Sequence, residues 1–166
     1  MEADIISSIP FMEYPPEVRY MHEALKEAKK AEENGEVPVG AVIVHKDRII
    51  ARAYNQVEML KDATAHAEMI ALTQASASLG DWRLLDTTLY VTKEPCPMCA
   101  GAIVHARVTH VVYGVADNRG GGAGSVFNIT DHPMLNHRVQ TTVGVLENEC
   151  RDILQNFFRR LRAKQE

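Results

Sequence analysis

Residues 87–115, TTLYVTKEPCPMCAGAIVHARVTHVVYGV, decide the fold of this chain. The segment from Thr87 to Lys93 is rich in Thr, Tyr and Val, a composition typical of strands. Pro97 suits the first position of a helix, and the pattern predicts a helix from there to about Ala106. Val108 to Val115 has the composition of a second strand. A strand, a helix and a strand at this spacing form a βαβ unit, so we expect the two strands to be parallel.

Cys96 and Cys99 lie at the start of the predicted helix, where a spacing of three places both side chains on one face. Unpaired backbone N–H groups at a helix start favour a thiolate over a thiol. A lone C-x-x-C motif is also typical of a redox pair or of half of a structural zinc site. However, the third cysteine, Cys150, lies far along the chain on an apolar helical stripe, and His105 belongs to a different helical face. Neither residue therefore supplies the fourth ligand that a structural site requires.

An H-x-E motif formed by His66 and Glu68 precedes a second apolar helical pattern. Asp62 and Thr64 are both candidate N-caps, so we expect His66 in the first turn of a helix that Gly80 ends. His66 and the two cysteines are ligand types that zinc prefers, and three protein ligands leave a fourth tetrahedral position open for water. Glu68 is close enough in sequence to move protons to and from that water. Together the two motifs indicate a catalytic zinc site.

The remaining segments complete an α/β pattern around this unit. The predicted elements are a helix from Glu17 to Asn34-Gly35, a hairpin of strands Val39 to His45 and Arg48 to Asn55, a loop from Gln56 to Ala63, a fifth strand from Val139 to Val145, and a last helix from Glu147 to about Ala163. An apolar stripe on the last helix, which includes Phe157 and Leu161, is most simply core packing. Residues 1–16 contain three prolines and predict a loosely held arm, and residues 17–166 form one predicted domain.

A glycine-rich loop, residues 116–125, follows the second strand of the βαβ unit. Glycines allow the backbone to approach a ligand closely. The loop does not match a P-loop, because the Gly-Lys-Ser/Thr ending is absent.

Composition restricts the class of protein. The 166 residues are 46% hydrophobic and 24% charged, which is ordinary for a soluble globular protein. No apolar run approaches the roughly 18 residues that span a bilayer, and the first residues lack the basic and apolar regions of a signal peptide. Three cysteines, two of them in the metal motif, leave no disulfide framework, so we expect a cytoplasmic protein that does not bind membranes.

Charge alone does not indicate a nucleic-acid-binding protein, because the net charge is −4. The distribution is uneven, since the first helix is acidic and the last helix ends with a basic cluster of Arg159, Arg160, Arg162 and Lys164. That cluster either complements the helix dipole or binds phosphates. On charge alone the first interpretation is favoured.

The chain resembles the cytidine-deaminase-like superfamily and, within it, the bacterial tRNA-specific adenosine deaminases. The resemblance runs from about Val18 to about Arg162. The motifs that carry it are Glu36-Val37-Pro38-Val39-Gly40-Ala41, Ala65-His66-Ala67-Glu68, Glu94-Pro95-Cys96-Pro97-Met98-Cys99-Ala100-Gly101, Val112-Tyr113-Gly114, Gly124-Ser125, Leu135-Asn136-His137-Arg138 and Phe157-Phe158. The zinc motif specifies only the superfamily, and the motifs after Cys99 point to the tRNA enzymes.

The resemblance implies an α/β protein with a three-layer α/β/α fold and a five-stranded mixed sheet. It also implies a homodimer with active sites near the subunit interface, and conversion of adenosine to inosine at the wobble position of a tRNA anticodon. One Zn²⁺ per subunit would be held by His66, Cys96 and Cys99, with Glu68 as the proton shuttle. Asn55 matches the asparagine that binds the target nucleoside, although on its own it is equally well explained as a turn residue. The positions that match contacts to the anticodon stem-loop are Asp117, Arg119, Asn136, His137 and Phe158.

Two departures from the family pattern stand out. Lys93 occupies a position where the family usually has leucine, and the loop from Arg119 to Gly124 is altered. Two other functions remain open at this stage. The first is a zinc deaminase of a free base or nucleoside, guanine or cytosine, and the second is a non-catalytic, zinc-stabilised partner subunit. The presence of Glu68 argues against the second, because structural zinc does not need a proton shuttle.

Overall fold

The computed structural model describes residues 10–165. Its helices are α1 (Pro16–Glu33), α2 (Val57–Leu60), α3 (Ala67–Leu79), α4 (Pro97–His105) and α5 (Glu147–Ala163), and its strands are β1 (Gly40–His45), β2 (Arg48–Tyr54), β3 (Thr87–Lys93), β4 (His110–Val115) and β5 (Gln140–Val143). One sheet contains all five strands in the order β2-β1-β3-β4-β5.

The sheet is mixed, as the resemblance implies. Strand β1 pairs antiparallel with both of its neighbours, so that Ala41 lies opposite Ala53 on β2 and opposite Val91 on β3. Strands β3 and β4 pair in parallel around α4, and β4 and β5 also pair in parallel. The predicted βαβ unit is therefore confirmed. Strand β5 is shorter than predicted, because Gly144 adopts a φ of +93° and turns the chain out of the sheet.

Side chains of β1 alternate between two cores, one on each face of the sheet. Ala41 and Ile43 belong to a cluster that includes residues of α3 and α4, while Val42 and Val44 belong to a second cluster with residues of α1 and α5. Neighbouring side chains of a strand point to opposite faces, so a strand buried on both faces has a continuous apolar sequence. The three-layer α/β/α arrangement that the resemblance implies follows from these two cores.

Gly40 sets the distance between α1 and the sheet. A Cβ atom there would lie 2.0 Å from the carbonyl oxygen of Ala24 and 2.4 Å from the backbone nitrogen of Ala28. Both atoms belong to helix backbone, which cannot move aside as a side chain can. A glycine at the start of β1 therefore lets α1 pack closely against the strand.

The predicted arm, residues 1–16, lies mostly outside the described residues. Within the described part, Phe11–Glu13 forms a short 3₁₀ helix. The rings of Phe11 and Tyr14 pack against His22 of α1, and their centroids lie 6.2 and 5.9 Å, respectively, from the centroid of the His22 ring. Among residues 10–165, no helix combines the length and apolar character needed to cross a membrane.

Candidate active site

His66 is the N-cap of α3, with an extended backbone at φ −73° and ψ 151°. The prediction that it lies within the first helical turn is wrong, as is the choice of Asp62 or Thr64 as the N-cap. The carboxylate of Asp62 instead accepts hydrogen bonds from the backbone N–H and the hydroxyl of Thr64 at 2.8 and 2.7 Å, which closes a local turn before the helix. The predicted end of the helix at Gly80 is confirmed.

Cys96 is likewise the N-cap of α4, and Pro97 occupies the first helical position as expected. Two helix starts therefore meet, one with a histidine and one with two cysteines. The Nδ1 atom of His66 lies 3.6 Å from Sγ of Cys96 and 3.5 Å from Sγ of Cys99. All three donor atoms lie within 4.8 Å of one another, so these residues could hold a metal ion.

The distances suit a tetrahedral zinc site. Zn–S bonds of about 2.3 Å and Zn–N bonds of about 2.0–2.1 Å, at tetrahedral angles, place sulfur and nitrogen about 3.5–3.6 Å apart. The donor set of one imidazole and two thiols is also one that zinc prefers. Both the chemistry and the spacing of these residues therefore fit the metal that the sequence predicts.

The cluster already favours one thiolate. A hydrogen bond from Cys99, assisted by one from His66, lowers the pKa of the Cys96 thiol to about 4 although burial raises it. The hydrogen bond to Cys96 and burial raise the pKa of Cys99. The hydrogen bond to Cys96 raises the pKa of His66. Negative charge is thus stabilised on the sulfur at the start of α4, which is the form that binds a metal.

Glu68 lies in the first turn of α3 and is only 4% exposed. Burial raises the pKa of its carboxyl group, while a hydrogen bond with Cys99 and the charge of His66 lower it. The electrostatics of the Glu68 carboxyl group are therefore coupled to those of Cys99 and His66. A buried acid beside a metal-binding cluster is the arrangement that proton transfer requires.

A cavity of about 710 Å³ gives access to this cluster. Its wall contains His66, Cys96, Glu68 and also Asn55, which follows the last residue of β2. Asn55 is 7% exposed, and its Nδ2 atom donates a hydrogen bond to the carbonyl oxygen of Val37 at 3.4 Å. This bond orients the side-chain amide within the cavity wall.

Helix α5 forms another part of the cavity wall through Phe157, Phe158 and Leu161. The rings of Phe157 and Phe158 meet edge to face, with centroids 5.4 Å apart. The interpretation of the whole apolar stripe as core packing is therefore only partly right. Cys150 at its start is fully buried, but Leu161 is 44% exposed.

The loop residues predicted to contact RNA lie at both ends of β4. Asp117 follows the C-terminal end of β4, and its carboxylate pairs with Lys93 of the cavity wall at 2.8 Å. Arg119 lies two residues further on and is exposed. His137 instead bonds through Nε2 to the carbonyl oxygen of Val108, before the N-terminal end of β4, at 2.7 Å.

Asn136 is exposed and directly precedes His137 in the chain. Neither residue lines the cavity. The structure places Asn55 and Phe158 in the wall of the cavity that His66 and Cys96 also line. Asp117 pairs with Lys93 of the same wall, while Asn136 and His137 lie at the other end of β4. In the basic cluster at the end of α5, Arg160 forms an ion pair with Glu32 of α1. The roles in RNA binding that the resemblance implies for Asp117, Arg119, Asn136, His137 and Phe158 remain predictions.

Several residues of the cavity wall were not predicted as functional. Glu36 is 1% exposed, and its carboxylate accepts hydrogen bonds from the backbone N–H groups of Glu58 and Met59 at 3.1 and 2.6 Å. It thereby caps α2, a helix that lies within the predicted loop. Glu94 also lines the cavity. Both acids belong to motifs that carry the resemblance, but neither has a ligand-like spacing that identifies its role.

Comparison with known proteins agrees with this geometry. Residues 17–162 match the model of the MafB19-like deaminase family. A tRNA-specific adenosine deaminase of Bacillus subtilis is 54% identical over 145 residues, which cover 87% of this chain and 90% of that protein. The chain belongs to the tRNA-specific adenosine deaminase family. It is thus a deaminase, an enzyme that hydrolyses a C–N bond.

Solved structures place this deaminase among related enzymes. A chain from a study of A-to-I editing by tRNA:A34 deaminases at the wobble position of transfer RNA is 43% identical, with a TM-score of 0.79, and the match covers 81% of this chain and 98% of that one. A guanine deaminase of Bacillus subtilis is 35% identical, with a TM-score of 0.57, over 73% of this chain and 80% of that one. The fold is thus shared by deaminases of different substrates.

Proposed function

We propose that this deaminase converts adenosine to inosine at the wobble position of a tRNA anticodon. The observation that carries the proposal is the three-donor cluster with the buried carboxylate of Glu68 beside it, in a chain 54% identical to a tRNA-specific adenosine deaminase. The similarity to the tRNA:A34 deaminase structure, at 43% identity and a TM-score of 0.79, supports the same substrate.

In this proposal His66, Cys96 and Cys99 hold one Zn²⁺ per subunit. When bound, such an ion lowers the pKa of a coordinated water to about 7 and so supplies a nucleophile at neutral pH. The described residues show a cluster of three donors rather than four, which suits a catalytic rather than a structural site.

Glu68 performs the proton transfers. Its carboxylate takes a proton from the attacking water and delivers it to the ring nitrogen next to C6 of adenine. A second transfer moves a proton from the new hydroxyl group on C6 to the amino group. The C6–N bond then breaks and ammonia leaves, so that adenosine and water become inosine and ammonia. The burial of Glu68 keeps bulk water away from this exchange.

Asn55 and α5 position the nucleotide. The carbonyl oxygen of the Asn55 amide accepts a hydrogen bond from the target nucleoside, and the exposed ring of Phe158 stacks on a neighbouring base. An anticodon loop presents unpaired bases, so little unstacking energy is needed to insert one into the cavity. Asp117, which pairs with Lys93 of the cavity wall, contacts the rest of the stem-loop in this proposal, together with Arg119, Asn136 and His137.

We also propose that the enzyme is a cytoplasmic homodimer. Large apolar side chains are exposed at Val126, Phe127, Met134 and Leu135, with Met134 85% exposed, and a protein interface would bury such groups. A reducing compartment keeps the two motif cysteines available as thiolate ligands. Light scattering of the purified protein would measure its oligomeric state.

The decisive experiment measures inosine in a purified anticodon stem-loop RNA. Wild type should form inosine, and Glu68→Ala should lower the rate by at least about 10²-fold while the zinc content stays the same. Glu33→Ala, an exposed acid at the end of α1, is the matched control and should retain the wild-type rate. Equal rates for wild type and Glu68→Ala would contradict the mechanism.

The similarity to a guanine deaminase at 35% identity makes free guanine the second substrate to assay. Turnover of guanine or cytosine without action on the stem-loop would replace the proposed substrate. Bound zinc without any deamination would indicate a non-catalytic subunit.

A further inference from the structure

Three consecutive residues next to the metal ligand Cys96 each hold one point of the glycine loop, residues 116–125. The Nζ atom of Lys93 lies 2.8 Å from Oδ2 of Asp117. The carboxylate of Glu94 accepts a hydrogen bond from the hydroxyl of Ser125 at 2.5 Å. The carbonyl oxygen of Pro95 accepts a hydrogen bond from the backbone N–H of Gly122 at 2.7 Å.

The glycines of the loop make this close contact possible. A Cβ atom on Gly121 would lie 1.3 Å from Oε2 of Glu94, and one on Gly122 would lie 2.9 Å from the backbone of Cys96 and Pro97. Glu94 is only 3% exposed, so its carboxylate is enclosed by the loop. The backbone of the loop therefore packs directly on the segment that supplies two metal ligands.

Asp117 organises the first turn of the loop. Its Oδ1 atom accepts hydrogen bonds from the backbone N–H groups of Arg119 and Gly120 at 3.0 and 3.1 Å, while its Oδ2 atom faces Lys93. An uncharged side chain at position 93 would have no charge with which to hold this carboxylate. The lysine thus gives this chain an anchor for the start of the loop in addition to the Glu94 anchor at its end.

We propose that Lys93 and Glu94 are positioning residues that fix the two ends of the glycine loop and thereby hold it ready for the RNA substrate. Both residues line the cavity, and Lys93 is the only lysine or arginine among its lining residues. A loop that is already ordered loses less conformational entropy when it binds, so the anchors improve affinity rather than chemistry. This inference rests on the proposed function.

The test uses Lys93→Leu, Asp117→Asn and the double variant, with Lys29→Leu on the exposed face of α1 as the control. Lys93→Leu should raise KM for the anticodon stem-loop about fivefold, the effect of one partly buried ion pair, while kcat and zinc content stay within about twofold of wild type. The double variant should be no worse than Asp117→Asn alone, because the two residues act through one contact. Lys29→Leu should change neither constant.

Hydrogen exchange gives a readout that does not depend on activity. The backbone amides of Arg119 and Gly120 should exchange faster in Lys93→Leu than in wild type, because the carboxylate that they bond is no longer held. For the other anchor, Glu94→Gln retains an oxygen that can accept from Ser125 and should keep KM closer to wild type than Glu94→Ala does.

Two outcomes would overturn the inference. In the first, Lys93→Leu leaves both KM and amide exchange unchanged. In the second, Lys93→Leu reduces the salt dependence of KM by the equivalent of about one phosphate contact, and its effect on KM adds to that of Asp117→Asn. That result would make Lys93 a phosphate ligand. Failure of the wild-type enzyme to edit the stem-loop would instead refute the proposed function, and the exchange measurement would still test the anchors.

Discussion

Replacement of Glu36 by alanine should destabilise the protein and disturb the cavity. The carboxylate is 1% exposed and accepts hydrogen bonds from the backbone N–H groups of Glu58 and Met59, near the start of α2. Alanine removes both acceptors, and no side chain of α2 or of its N-cap residue Gln56 makes a capping hydrogen bond in their place. The helix of four residues is too short to be stable without such contacts.

The magnitude follows from the two bonds. Loss of a hydrogen bond to a charged group costs about 1.5–3 kcal/mol, and loss of an N-cap costs about 0.5–2 kcal/mol. The two amides are only partly buried, so water compensates for some of this loss. We therefore expect Glu36→Ala to lower the free energy of unfolding by about 2–4 kcal/mol.

Urea unfolding of wild type, Glu36→Ala and Glu36→Gln would measure this effect. Glutamine retains one oxygen acceptor, so its loss should be about half that of alanine. Glu33→Ala, an exposed acid at the end of α1, should stay within about 0.5 kcal/mol of wild type. Because Val57 and Glu58 of α2 line the cavity, Glu36→Ala should also raise KM for the stem-loop. An unfolding free energy for Glu36→Ala within about 0.5 kcal/mol of wild type would refute the capping role.

Two further predictions concern titratable groups whose pKa is shifted. After zinc is removed with a chelator, iodoacetamide should alkylate Cys96, because the pKa of its thiol is lowered to about 4 and its side chain is partly exposed. Cys150 should stay unmodified, because it is buried and burial raises the pKa of its thiol to about 12. Peptide mass spectrometry would measure both, and equal modification of Cys150 in the folded protein would contradict its burial. Burial likewise raises the pKa of Tyr90 to about 12 from the model-peptide value of 10.0. The folded state thus holds this proton more tightly than the unfolded state, so its contribution to stability is complete below pH 10 and is lost as the pH rises towards 12. Urea unfolding at a series of alkaline pH values should show a smaller decline for Tyr90→Phe than for wild type, and identical declines would refute this assignment.

Elements with strong local patterns were predicted well. The predicted strand from Thr87 to Lys93 has the bounds observed for β3, and the predicted helix at Pro97 ends within one residue of α4. Strand composition and a proline at the first helical position are local signals, so they survive in the folded chain.

The errors occur where a local pattern does not determine which contact forms. Helix α2 was not predicted, because its capping carboxylate comes from Glu36, more than 20 positions earlier in the chain. The N-cap of α3 was misassigned, because Asp62 satisfies a local turn instead of the helix. The outer part of the α5 stripe was assigned to the core, although periodicity cannot distinguish a core from the wall of a cavity.

The sequence by itself determined the candidate ligands, the candidate proton shuttle and the parallel direction of β3 and β4, because ligand chemistry and βαβ units depend on residue types at short spacings. Only the tertiary structure brought His66 within 3.6 Å of Cys96 and joined residues 93–95 to the glycine loop. Distances between groups that are far apart in the chain are set by the packing of helices on both faces of the sheet. That packing depends on the free energy of the whole core, which no short segment encodes.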